Sequence, residues 1–100
     1  MIFVVNKAKG SYPTAVYVGR GTPLGSPFHI GTHGNRGQVI AKYKTWLDRQ
    51  GPDSAAGLEL ARLDARHQED DLVLSCHCAP LACHADVIAK HVAAMSPEID

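Results

Sequence analysis

A chain of 100 residues has room for one domain, residues 1–100, with a modest hydrophobic core. Its hydrophobic content of 45% excludes a largely disordered chain, and no apolar run reaches the roughly 20 residues of a transmembrane helix. The net charge is zero, yet residues 1–50 hold seven basic side chains against one acidic, whereas residues 51–100 hold three against nine. If the fold keeps these halves apart, the basic half suits an anionic ligand.

The N-terminal residues predict where the protein acts. They lack the basic segment, the long apolar stretch and the cleavage site of a signal peptide. We therefore expect a cytoplasmic protein that does not associate with membranes. In a reducing compartment its three cysteines are expected to be free, catalytic or bound to metal rather than joined in disulfides.

Two short runs of β-forming residues begin the chain. Residues 2–5 show no alternation of apolar and polar side chains, which is typical of a strand buried on both faces. Residues 14–18 are good strand formers and predict a second strand. A parallel return needs a crossover of a dozen or more residues, and the connection here is shorter. The sequence therefore predicts an antiparallel hairpin.

The next segment, residues 19–35, has no regular pattern and is called the glycine loop below. Loops of this length in a small domain are usually functional, and glycines permit close approach to a ligand. Leu24, Phe28 and Ile30 are expected to pin the loop to the core. The glycine spacing fits neither a Walker motif nor the dinucleotide fingerprint. Two interpretations stay open: an anion-binding loop that uses Arg20, or a purely structural loop.

Apolar periodicity predicts two helices in the middle of the chain. Asn35 and Gln38 form the capping box of the first, whose apolar face carries Val39, Ile40, Tyr43, Trp46 and Leu47. Asp53 or Ser54 caps the second, in which Gly57 is unfavourable, and its apolar face carries Ala56, Leu60, Leu63 and His67. Both aromatic residues of the first helix are expected in the core rather than stacked on a ligand.

A third strand, residues 72–75, leads into the cysteine turn, defined here as residues 76–83, and then into a last helix. Pro80 suits the first position of that helix, and Pro97 follows its end. The predicted apolar stripe of the helix consists of Leu81, Ala85, Ile88, Val92 and Met95. The histidines outside this region are expected at the surface or in caps; they are His29, His33, His67 and His91.

Together these elements predict a compact α/β domain in which a small mixed sheet of about three strands packs against about three helices. If the second and third strands are parallel, joined by the two middle helices, the glycine loop and the cysteine turn leave the same sheet edge. An anion could then be bound at this edge by four residues: Arg20, Gly21, Ser26 and Arg36.

The cysteine turn supports two chemical interpretations. In one, Cys76, Cys78 and Cys83 hold zinc in a Cys3His site that either His84 or His77 completes, although Cys-x-Cys is not the usual ligand spacing. In the other, Cys78 and Cys83 are reactive thiols whose pKa is depressed near a helix N-terminus. His84 would then serve as base or orienting group, with Asp86 beside it. Cys76, inside the strand, is interpreted as a small core residue.

Two parts of the first half of the chain carry a resemblance to a known family. The string from Tyr17 to Phe28 resembles a G-R-G-x-x-x-G-N-P-F loop, with Ser26 in place of the usual asparagine. The serine keeps a short polar group at that position. The second part is the later pair Arg36 and Tyr43.

The third part is residues 76–86, which resemble a C-x-C-x-P-x-x-C-H-G-D turn, with Ala85 in place of glycine and His77 where an aromatic is common. The three parts together resemble a small family of domains of unknown function from bacteria and bacteriophages. The resemblance implies an intracellular, often phage-associated protein without an established activity. It also implies that six residues form one site: Arg20, Arg36, Cys78, Cys83, His84 and Asp86.

The resulting hypothesis is a pocket for an anionic, phosphate- or nucleotide-like ligand. The pocket is formed by the glycine loop, which contains Arg20, and by the cysteine turn. Whether the site catalyses a reaction is left open. Two alternatives come from other classes: a zinc-binding structural module, or an interaction factor that binds a host protein without chemistry. Direct nucleic-acid binding is not expected, because the net charge is zero and no recognised binding motif is present.

Overall fold

The computed structural model describes residues 1–10, 14–78 and 81–95. In this part of the chain the elements are β1 (Ile2–Asn6), a short 3-10 helix (Lys7–Lys9), β2 (Val16–Tyr17), α1 (Arg36–Asp48), α2 (Ala55–Glu69), β3 (Leu72–Cys76) and α3 (His84–Met95). Three strands and three α-helices confirm the predicted small α/β class. None of the helices in these residues is long and apolar enough to cross a bilayer.

The sheet is parallel, with β3 between β1 and β2. Ile2 aligns with Leu72 on one side of β3, and Val16 aligns with Leu74 on the other. The predicted hairpin between the first two strands is therefore wrong, and so is the predicted mixed character of the sheet. The physical reason is that β1 and β2 never pair. Their shared neighbour, β3, comes much later in the sequence, and no local pattern marks so distant a partner.

One face of the sheet supports the hydrophobic core. Leu72, Leu74 and Cys76 alternate along β3 and are at most 1% exposed. Ile2 and Val4 of β1 pack against the same core from the neighbouring strand. Side chains between them point to the opposite face, where Phe3 is 42% exposed. The prediction that the first strand is buried on both faces is thus wrong, because β1 is an edge strand with one covered face.

The first two helices begin and pack as predicted. Asn35 accepts from the Gln38 backbone N–H, the Gln38 side chain accepts in return from the Asn35 N–H, and Ser54 caps α2. Most residues of the predicted apolar faces pack in the core, and the buried members of the α1 face are Val39, Tyr43 and Leu47. Ile40 is only half-buried and lies outside the core cluster. His67, expected at the surface or in a cap, is instead 2% exposed on the buried face of α2.

The last helix begins later than predicted. Leu81 precedes α3 and is 59% exposed, so it does not belong to the buried stripe of Ala85, Ile88 and Val92. Instead the Asp86 carboxylate accepts from the Cys83 backbone N–H at 3.0 Å, which fixes the helix start at this turn. Pro80 and Pro97 lie outside the described residues.

Candidate functional site

Parallel pairing of β2 and β3 brings two loops to one edge of the sheet. The glycine loop leaves the carboxyl end of β2 and the cysteine turn leaves that of β3, while the Val18 N–H extends the ladder by donating to the Ser75 carbonyl at 3.0 Å. A cavity of about 190 Å³ opens there, and seven of the predicted site residues line it: Arg20, Ser26, Arg36, Cys76, Cys78, Cys83 and His84. Open α/β sheets bind ligands at this edge.

The glycine loop is held against the core at its centre. The buried Tyr43 hydroxyl donates to the Leu24 carbonyl at 2.6 Å, and burial raises the tyrosine pKa, so that the hydroxyl keeps its proton. A side chain at Gly25 would place its Cβ 2.6 Å from the Gly19 carbonyl oxygen, so this close approach requires glycine. Leu24 is buried as predicted, whereas Ile30 is 55% exposed and does not pin the loop.

The Arg20 side chain lies on the exposed side of the cavity. Its guanidinium Nη1 lies 2.8 Å from Nδ1 of His29, a histidine outside the predicted site. Because a guanidinium can only donate, His29 accepts this bond through an unprotonated nitrogen. The contact holds the Arg20 side chain toward the middle of the glycine loop without neutralising its charge.

The Arg36 side chain connects α1 to the cysteine turn. Its Nη1 donates to the Ala82 carbonyl at 2.9 Å, directly before Cys83. Arg36 is the first residue of α1, so its position follows from the Asn35 cap that starts the helix. The two arginines, sixteen positions apart in the sequence, thus reach one cavity from different elements.

The cysteine turn gathers three free thiols. The sulfur atoms of Cys76, Cys78 and Cys83 lie within 4.8 Å of one another, and the pair from Cys76 and Cys83 lies 3.1 Å apart. Burial, and then the hydrogen bond with Cys76, raises the pKa of the Cys83 thiol to about 12. The metal-free Cys83 is therefore a neutral thiol at pH 7, in contrast to the depressed pKa predicted for it. Three thiols this close can bind one metal ion, which would replace their protons.

His84 fastens the start of α3 to the end of β2. Its Nε2 lies 2.6 Å from the Val18 carbonyl, which can only accept, so Nε2 carries the proton and Nδ1 of the neutral ring is an acceptor. The ring also packs edge-to-face on Tyr43, with centroids 5.2 Å apart. His84 is not part of the group of close metal-ligand atoms that the three cysteines form. The structure thus places it in the cavity wall but outside that cluster.

Burial lowers the pKa of His84 below its ordinary value of 6.5. We therefore expect chelator-treated protein to lose stability as the pH falls through about 6.5, because the unfolded chain binds a proton that folded His84 resists. His84→Gln keeps an N–H donor but cannot titrate. The advantage of the wild type over this variant in unfolding free energy should shrink from about pH 8 to about pH 5. Denaturant titrations of both proteins at several pH values measure this difference in unfolding free energy. A difference that does not change with pH would contradict the lowered pKa of His84.

Two predicted site residues lie outside the cavity wall. Gly21 is exposed with φ +87°, so glycine there serves the turn rather than a ligand contact. The Asp86 carboxylate is used at the start of α3, where it accepts from the Cys83 N–H. Ser26 does line the cavity, and its hydroxyl oxygen accepts from the Phe28 N–H at 3.1 Å. Asp86 and Gly21 thus shape the two loops that carry the other residues.

The cavity also has an apolar wall, which the sequence patterns did not predict. This wall is formed by Tyr17, Phe28, Ile30, Val39 and Ile40. A signal for part of it is present, because residues three and four positions after Arg36 share its helix face. Those positions are Val39 and Ile40, which the sequence assigns only to the core-facing side of α1. The exposed Ile30 had no such signal, since its place depends on the path of the glycine loop.

Comparison of the chain with known proteins identifies the family to which it belongs. Residues 4–94 match the family model described as Domain of unknown function (DUF4326). No curated protein and no solved structure matches the chain. The matched range includes both loops that meet at the cavity and all three cysteines. Because the match covers most of the chain, the protein belongs to the DUF4326 family of domains of unknown function.

Proposed function

We propose that this protein binds a small anionic ligand, phosphate- or nucleotide-like, in the cavity between the glycine loop and the cysteine turn. The observation that carries the proposal is that Arg20 and Arg36 both line this cavity. Neither guanidinium is paired with a carboxylate in the ion pairs of the described residues. Guanidinium groups present several donors in a plane and match phosphate oxygens well.

The remainder of the wall supports a ligand with an apolar part. Phe28, Val39 and Ile40 offer flat or branched apolar surface beside the two guanidiniums. Ligand sites typically combine such a surface with a few fixed polar groups. The volume of about 190 Å³ suits a phosphate group and part of its carrier, so a nucleotide-sized molecule would extend out of the mouth.

The groups predicted to do chemistry have defined positions in this proposal. The neutral His84 ring presents Nδ1 as an acceptor, and Cys78 is the least buried of the three thiols. In the metal-free protein, these two side chains are the ones suited to exchange a proton with a bound ligand. Cys83, a neutral and buried thiol in the metal-free protein, is a poor nucleophile by comparison.

Isothermal titration calorimetry of the untagged protein with adenosine monophosphate tests the proposed anion site at Arg20 and Arg36, which we call the arginine pocket. Arg20→Ala should weaken binding at least about tenfold, because it removes a charge-assisted hydrogen bond of about 1.5–3 kcal/mol. Arg20 is exposed, so the variant should keep the melting temperature of the wild type. Arg62→Ala is the matched control, since Arg62 lies on α2 with its side chain 80% exposed. Equal affinities of wild type and Arg20→Ala would reject the proposal.

A second candidate function is a zinc-stabilised structural module. It is favoured by the three sulfur atoms within 4.8 Å of one another at the junction of β3 and α3. Zinc–sulfur bonds of about 2.3 Å place two thiolates of a tetrahedral ion about 3.8 Å apart. This distance lies between the 3.1 Å of the Cys76–Cys83 pair and the 4.8 Å within which all three sulfurs lie. An ion there would fix the end of the central strand to the start of the last helix. Of the predicted Cys3His ligands, this module would use only the three cysteines, because His84 lies outside the group of close ligand atoms.

A further inference from the structure

The three sulfur atoms form a cluster with one accessible side. Cys76 and Cys83 are 1% and 4% exposed, whereas Cys78 is only partly buried. All three residues line the same cavity as Arg20 and Arg36. An ion held by the three sulfurs would therefore sit in the wall of the cavity, and its remaining coordination position would face the space into which an anion is proposed to bind.

The side chains nearest in sequence are engaged elsewhere and do not complete a four-ligand site. The His84 Nε2 is bonded to the Val18 carbonyl, and neither ring nitrogen of His84 belongs to the group of ligand atoms within 4.8 Å of one another. The Asp86 carboxylate accepts from the Cys83 N–H. The His77 ring packs on Tyr17, with centroids 5.7 Å apart. Within residues 1–10, 14–78 and 81–95, the group of close ligand atoms contains the three sulfurs alone. Structural zinc sites have four protein ligands, whereas sites that bind a reactant have three and an open position.

The charges around the cluster favour an anion as the fourth ligand. Three thiolates give a divalent ion a net charge of about −1, which by itself would repel a further anion. Arg20 and Arg36 add two positive charges to the same cavity, and the Arg36 guanidinium is held at the carbonyl next to Cys83. The arginines thus offset the charge that an anion would bring to the metal, which a purely structural site would not need.

We propose that Cys76, Cys78 and Cys83 hold a zinc ion whose fourth position opens into the arginine-lined cavity and coordinates an oxygen of the anionic ligand. The inference rests on the proposed arginine pocket and assigns the ligand a second contact. On metal binding the three thiol protons pass to solvent, and a water molecule at the fourth position leaves when the anion binds. No change in oxidation state is involved.

Cobalt(II) loaded into the untagged full chain tests this inference, because its visible absorption depends on the number and type of its ligands. We expect about one cobalt per chain with sulfur-to-metal absorption, which Cys78→Ser should weaken. Inorganic phosphate should then shift the visible bands until they saturate. Perchlorate at the same ionic strength should leave them unchanged. Arg36→Ala should raise the phosphate concentration at half-saturation at least about tenfold, and Arg62→Ala should not change it.

Calorimetric titration of the same cobalt-loaded samples separates this inference from the arginine pocket. If phosphate binds but the cobalt bands do not move, the open-position inference is wrong and the arginine pocket stands. If phosphate neither binds nor shifts the bands, both are wrong. Absence of sulfur-to-cobalt absorption in the wild type would also overturn the inference. Band shifts that saturate equally in wild type and Arg36→Ala would show that the metal binds anions without the arginines, against the arrangement proposed here.

Discussion

Replacing Gly57 with alanine should lower the free energy of unfolding by about 1–3 kcal/mol, the usual effect of overpacking. Helix propensity alone predicts the opposite, a gain of up to about 1 kcal/mol. The difference arises because a Cβ at Gly57 would lie 2.1 Å from the Gly51 carbonyl oxygen. That oxygen accepts from both the backbone N–H and the hydroxyl of Ser54, at 3.1 Å and 2.7 Å, so it cannot move without loss of the α2 cap.

The chain provides a matched control in Gly37, which occupies the first turn of α1 as Gly57 occupies the first turn of α2. A Cβ at Gly37 would meet only the Asn35 side-chain oxygen, at an ordinary 3.6 Å. Gly37→Ala should therefore keep or raise stability. Urea denaturation of both variants gives the comparison. If Gly57→Ala proved as stable as Gly37→Ala, the close approach of the α2 start to the preceding turn would be contradicted.

Gly57 also illustrates what local sequence patterns can predict. The start of α2 was predicted from its cap, and Ser54 is indeed the cap, because capping needs only a side chain three positions from the N–H it serves. Asn35 and Gln38 were predicted for the same reason. The glycine itself looked unfavourable, since its function depends on a carbonyl six positions earlier that only the folded turn brings close. Local sequence patterns thus predicted the start of α2, but not that position 57 requires glycine.

The pairing of the strands depended on distant contacts and was therefore predicted less well. The short connection after β1 suggested a hairpin, but β3 supplies the hydrogen bonds to both β1 and β2. Parallel pairing of β2 and β3 was predicted only conditionally, from the two helices that connect them. That condition holds, and it is the reason why the glycine loop and the cysteine turn share one edge.

The candidate site was likewise predicted only in part, because some of its features depend on contacts that form in the fold. Arg20 and Arg36 were assigned to one pocket from topology, and both line the cavity. The family resemblance places Asp86 in the same site, but in the fold its carboxylate accepts from the Cys83 N–H at the start of α3 and does not line the cavity. The thiol pKa was predicted from the helix N-terminus, whereas burial and the Cys76 contact dominate in the fold. Sequence position identifies candidate groups, and their surroundings determine the chemistry.

Removing zinc should lower the melting temperature of the wild type by roughly 10–20 °C. The estimate follows from linkage, since a ligand present at about 100 times its Kd stabilises the folded state by about 2.7 kcal/mol, and each kcal/mol shifts the melting temperature of a domain this size by about 4–8 °C. Three sulfurs meet at the junction of β3 and α3, so the ion would bind the folded chain far better than the unfolded one. Thermal denaturation of untagged protein, with zinc and with a chelator, measures the shift.

Cys78→Ser is the control that separates metal binding from packing. Cys78 is partly exposed, so its chelator-treated variant should melt near the chelator-treated wild type, because little buried contact is lost. Added zinc should then stabilise the variant much less than the wild type, since two sulfurs remain. The variant keeps every histidine, so zinc bound at His29 or His33 would stabilise both proteins equally. Equal zinc shifts in the two proteins would therefore place the metal elsewhere, and no shift in either would reject a metal at the cysteine turn.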